Sequence, residues 1–62
     1  MSKSIQELEI ILNRSPTVDN CLELCRAHLA GRRFTESVVL CKKAIKLGPE
    51  DLRAPAMLAL VY

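Results

Sequence analysis

Cys21, Cys25 and His28 follow one another at i, i+4 and i+7. On a helix that spacing sets two thiols and an imidazole on one face. Cys41 is a fourth candidate if a neighbouring helix carries it close. Three thiols and an imidazole are a zinc-type donor set. Cys25 or Cys21 beside His28 would also make a nucleophile and its base. Each chemistry needs features that this chain lacks. Zinc sites favour short C-x2-C spacings. A nucleophilic thiol needs exposure and an oxyanion site, and no glycine-rich turn supplies one. A buried free cysteine otherwise packs as a small hydrophobe, and that reading outweighs both. The expectation is a protein that is not an enzyme, with no cofactor and no metal. Cys21, Cys25, His28 and Cys41 carry the alternative reading of a metal or redox module.

The charged residues offer a second chemistry. Nine basic and seven acidic side chains leave a formal charge of +2. The excess is central: residues 21–48 carry six basic side chains against Glu23 and Glu36. Arg32, Arg33, Lys42, Lys43 and Lys46 could meet phosphates, which gives a weak nucleic-acid accessory as a further alternative. No aromatic interleaves them, and lysines in the last turns of a helix complement its dipole. A solvated outer face is the simpler account. Only Phe34 and Tyr62 are aromatic.

Four segments must position these residues. Residues 4–14 read as a first helix. Ser4 and Glu7 form a capping box, and Ile5, Leu8, Ile11 and Leu12 make an apolar stripe. Ser15-Pro16 ends it. The second helix runs from Val18 to Ala30, capped by Thr17 and closed by Gly31 in the left-handed conformation. A short link through Arg32-Arg33-Phe34 makes the next helix antiparallel. That third helix spans Glu36 to Leu47 with Thr35 as its cap, and buries Val38, Leu40, Cys41, Ala44, Ile45 and Leu47. Gly48-Pro49 stops it. A fourth helix begins near Asp51 or Leu52, because Pro55 is tolerated only in a first turn. No period-two alternation suggests a strand.

Leu24-Cys25-x-x-His28 recurs 34 residues later as Leu58-Ala59-x-x-Tyr62. A fixed period of this length marks stacked helical hairpins. Between the copies lie Phe34, Ala44 and Pro49. Together these residues resemble the tetratricopeptide repeat. Leu24 matches its leucine, Cys25 its small residue, and His28 stands where tyrosine is usual. Phe34, Glu36, Ala44, Leu47 and Pro49 match the second helix and the closing proline. Cys21 and Pro55 replace the usual tryptophan, and Gly31 sits one residue early. The resemblance implies an all-α fold of about four helices, antiparallel hairpins stacked as a short right-handed solenoid. Residues 1–17 would be a worn half repeat, 18–51 a complete hairpin, and 52–62 the first helix of a following repeat. Phe34 would fill the hairpin corner.

The resemblance also implies a role in binding a protein or peptide, or in self-association as a homo-oligomer. Asp19, Leu22, Arg26, Leu29, Arg53, Ala56 and Leu60 would line the concave groove. Arg26 and Arg53 there could pair an acidic group. Met57, Leu58, Val61 and Tyr62 are the self-association candidates, on a helix with no covering partner. Three cysteines in no disulfide-like spacing suggest free thiols and a reducing compartment. Met1 to Glu9 lacks the apolar core of a signal peptide. No run approaches the ~18 apolar residues of a membrane span. A cytoplasmic protein is expected, with no membrane partner.

Overall fold

Each apolar stripe becomes a helix, and the turns between them are set by local hydrogen bonds. The computed structural model describes residues 3–61. Within them α1 spans Ile5–Arg14, α2 Val18–Ala30, α3 Phe34–Leu47 and α4 Arg53–Val61. There is no strand among the described residues.

The α1 start is a reciprocal capping box. The Glu7 amide donates to Ser4 Oγ at 3.1 Å, and the Ser4 amide donates to Glu7 Oε1 at 3.4 Å. Two free donors are satisfied at once. Ser15 ends the helix ahead of Pro16, its amide donating to the Ile11 carbonyl. Thr17 Oγ1 then accepts the Asn20 amide at 3.2 Å and opens α2. Asn20 Nδ2 reaches back to the Ser15 carbonyl at 2.8 Å, which pins the α1–α2 corner.

The α2–α3 corner departs from expectation. Gly31 is not left-handed: its φ is −92° and its ψ is 9°. Arg32 takes that conformation, with φ 59°. The Arg33 amide donates to the His28 carbonyl at 2.8 Å and the Arg32 amide to Leu29 at 3.0 Å. This is a Schellman closure, whose left-handed position falls one residue beyond the glycine. The closure feeds directly into α3, which begins at Phe34, so Thr35 lies inside the helix and does not cap it. Arg33 occupies the cap position with no side-chain bond. Phe34 does not fill the corner either and is half exposed.

Gly48 and Pro49 separate α3 from α4. A side chain at Gly48 would have no room, because a Cβ there would lie 2.7 Å from Val18 Cγ2. Asp51 Oδ1 accepts the Arg53 amide at 2.9 Å and so organises the α4 start. The Arg53 side chain returns to the same carboxylate, Nε to Oδ1 at 3.0 Å and Nη2 to Oδ2 at 2.6 Å. Pro55 falls in the first turn of α4, where a missing N–H costs no helical bond.

Packing follows chain order. α2 lies chiefly on α3, α3 on α4 and α1 on α2, with a smaller α2–α4 contact. Val18 sits beside Gly48 and Cys25 beside Cys41, so α2 and α3 run antiparallel. All four helices contribute to one core: Leu8 and Leu12 from α1, Cys21, Leu22, Leu24 and Cys25 from α2, Leu40, Cys41 and Ala44 from α3, and Ala54 and Met57 from α4. The radius of gyration, 10.6 Å, is that of a compact globule of this length. Leu47, expected inside, is exposed. No helix among the described residues is long and apolar enough to cross a membrane.

A non-glycine residue in the left-handed region is disfavoured by about 1 kcal/mol. Arg32→Gly should therefore stabilise the fold by about 1 kcal/mol in urea unfolding. Gly31→Ala should add about 0.5 kcal/mol, since its Cβ would meet only ordinary contacts near the His28 and Ala27 carbonyls. The Asp51 carboxyl is held down to about 2, first by its side-chain bonds to Arg53 and then by the Arg53 amide. An unfolded aspartate titrates near 3.9. The contribution of Asp51 is thus complete above about pH 4 and lost as pH falls through about 2. Urea midpoints of the parent and of Asp51→Asn should differ by a constant amount above about pH 5, draw together as pH falls below about 4 and converge near about pH 2.

Candidate functional site

The thiol set lies in the α2–α3 interface. Cys21, Cys25 and Cys41 are all fully buried and free. Cys25 Sγ is 3.3 Å from Cys41 Sγ and donates to the Ser37 carbonyl at 3.4 Å. Ser37 Oγ donates in turn to the Cys25 carbonyl at 3.3 Å and to the Arg33 carbonyl at 3.1 Å. Small side chains at 25, 37, 41 and 44 let the two backbones come close enough for these bonds. Burial, with the neighbouring Cys25 hydrogen bond, pushes the Cys41 thiol up to about 12. Burial also raises Cys21, against the opposing pull of Lys43. These two sulfurs stay protonated at neutral pH, the form that neither attacks nor ligates. Among the described residues no group of three His, Cys, Asp or Glu side chains is arranged to hold a metal ion.

His28 is buried at 8% exposure, and its Nδ1 has no hydrogen-bond partner among the described residues. It lines an open cleft of about 370 Å³ between α1, α2 and α3. Leu24, Val39 and Leu40 supply apolar walls, and Glu9 and Glu36 supply two carboxylates. Beyond Val39 a second open cleft of about 290 Å³ is lined by Lys42, Lys43 and Lys46. The basic residues gathered here are thus three lysines on the outer side of α3. Of the wider basic set, Arg32 and Arg33 belong to the corner.

The residues expected to line a groove divide. Asp19 and Arg53 come together: Asp19 Oδ1 accepts from Arg53 Nη1 at 2.7 Å, while Asp51 holds the other side of the guanidinium. Arg53 is therefore committed within the chain although exposed, and Arg26 is exposed with no ion pair among the described residues. Leu22 lies in the core and Leu29 is half buried. Ala56 is exposed and Leu60 is 82% exposed.

Of the self-association set, Met57 packs in the core and Leu58 and Val61 are half buried. Tyr62 lies outside the described residues. Sequence reasoning passed over Leu52, which is 80% exposed. Its signal was present, since Leu52, Ala56 and Leu60 follow at i, i+4 and i+8. Pro55 and Ala59 beside them are exposed too. α4 thus turns Ala54 and Met57 inward and a stripe of small and aliphatic side chains outward. No family model, no curated protein and no solved structure matches this chain.

Proposed function

We propose that this chain is a tetratricopeptide-like protein-interaction module that seats a helix of a protein or peptide on α4. One observation carries the reading. At the 34-residue offset, Cys21 and Cys25 correspond to Pro55 and Ala59. The first pair is fully buried beneath α3, and the second pair is exposed. α4 therefore offers outward the positions by which α2 accepts a helix. Leu52 and Leu60 flank them and add apolar area, which on a small protein marks an interaction surface. Small residues at the centre with aliphatic residues beside them suit ridge-into-groove packing of an incoming helix.

The same face would accept the next hairpin of a repeat array or a separate partner. Its chemistry is apolar and close-packed, with the Asp19–Arg53–Asp51 cluster as a charged border. The buried, protonated thiols support a structural use of cysteine in a reducing compartment. They give no support to redox or metal chemistry.

A direct probe is a labelled peptide of residues 34–47, crosslinked along its outward side to hold it helical. It copies the helix that covers α2. Fluorescence anisotropy should show saturable binding to the whole chain. Ala59→Glu should weaken that binding by about tenfold or more, because a carboxylate would be driven into a dry contact. The thermal midpoint should be unchanged, as Ala59 is exposed. Absence of saturation, or binding indifferent to Ala59→Glu, would contradict the reading.

A further inference from the structure

Among the described residues α1 and α3 both pack on α2 but not on each other. The trough left between them is the open cleft of about 370 Å³. That size lies in the range of about 300–1,000 Å³ in which proteins seat small ligands. α2 supplies the floor with Leu24 and His28, one turn apart and both buried. Glu9 of α1 stands on one wall, and Thr35, Glu36, Val39 and Leu40 of α3 form the other.

The charges in this trough are unmatched. Glu9 and Glu36 are exposed, and neither has an ion pair among the described residues. No lysine or arginine lines the cleft. Lys42, Lys43 and Lys46 line the separate cleft beyond Val39. Arg32 and Arg33 belong to the corner before α3, and Arg33 Nε lies 3.9 Å from where a Cβ on Gly31 would stand, folded back over that corner. In a chain of net charge +2, two acids are thus left without a cation above an apolar floor. His28 adds a third polar side chain, more than nine-tenths buried, with Nδ1 unpartnered among the described residues. That nitrogen is itself buried and is no contact for a ligand; the ring closes the floor. An unpaired buried polar group costs stability, and such costs are kept at functional sites.

We propose that this trough is a binding site for an arginine side chain of a partner peptide. The methylenes lie over Leu24 and Leu40, and the guanidinium reaches the carboxylates of Glu9 and Glu36. The site is separate from the α4 face and does not depend on it. Two carboxylates borne by different helices suit a planar fork, which donates along more than one edge. A guanidinium is also more weakly hydrated than an ammonium, so it loses less on entering a half-apolar trough. The aliphatic stem covers apolar wall while the charged end stays near water. The trough is open along its length, so it takes one side chain and leaves the peptide backbone outside.

The test titrates N-acetyl-arginine amide, which has the side chain of a peptide residue and no carboxylate, into the whole chain. His28 is the single histidine, so its ring signals in NMR report on the floor without ambiguity. Saturable shifts are expected at His28 and at the amides of the wall residues, with a Kd on the order of 1 mM. The citrulline counterpart, alike in shape but uncharged, should bind at least about tenfold more weakly. The lysine counterpart should bind at least about threefold more weakly. Glu9→Gln and Glu36→Gln should each weaken arginine binding by about threefold or more, and the two together should abolish it. Glu50→Gln removes an exposed carboxylate outside the cleft and should change nothing. Circular dichroism of each variant checks the fold. No saturation up to about 20 mM would overturn the proposal. So would equal binding of citrulline or lysine, or a double variant that binds like the parent. An effect of Glu50→Gln as large as that of Glu36→Gln would also overturn it, since general attraction to acidic surface would then explain the binding. Ala59→Glu should leave arginine binding unchanged, so this site and the α4 face stand or fall separately.

Discussion

The α2–α3 approach is the constraint from which the rest of the molecule follows. Cys25, Ser37, Cys41 and Ala44 are all fully buried, and none is larger than a thiol-bearing side chain. Their size lets the helices close until Cys25 touches Cys41 and Ser37 bonds across to the Cys25 backbone. At the far end of the same pair, Gly48 clears space for Val18. A helix pair this close is a wall on which α1 and α4 each bury a single face. The leucines of α1 and Met57 of α4 then add roughly 1.5–3 kcal/mol apiece by burial. In so small a chain the total is marginal, so the close contact cannot be loosened without consequence.

The same constraint explains the chemistry of the cysteines. Positions chosen for size exclude water, and exclusion of water keeps Cys21 and Cys41 protonated. A donor set that looks reactive along the chain becomes filler once folded. His28 is the exception. It lines an open cleft that Glu9 and Glu36 also line, while its Nδ1 is itself buried and without a hydrogen-bond partner among the described residues. Exposed apolar area is left instead at α4, where Leu52 and Leu60 are about 80% exposed.

Helix positions were legible because their signals are local. Ser4 with Glu7 and Thr17 with Asn20 act within one turn, and apolar periodicity marks α1 and α2 directly. The antiparallel α2–α3 pair was legible from small residues at Cys25 and Ala44 and a short link. The α2–α3 corner was not. Gly31 lies one residue before the left-handed position, and only the observed Schellman bonds show that Arg32 takes that conformation. Once the closure shifts, α3 starts earlier, Thr35 loses its capping place and Phe34 turns outward. Surface residues were legible only in part, because exposure depends on what packs opposite. Leu22 and Met57 share the spacing of their exposed neighbours, yet they meet the core. Arg53 reads as a free cation until the fold places Asp19 and Asp51 on either side of it.

The decisive measurement compares one substitution at two places. Ala44→Leu adds bulk between α2 and α3, whereas Ala59→Leu adds the same bulk on an exposed face, and leucine is close to alanine in helix propensity. In urea unfolding, Ala44→Leu should lose about 2 kcal/mol or more, while Ala59→Leu should stay within about 0.5 kcal/mol of the parent. Equal stability of the two variants would contradict the account, because it would mean that the helices do not depend on small residues for their approach.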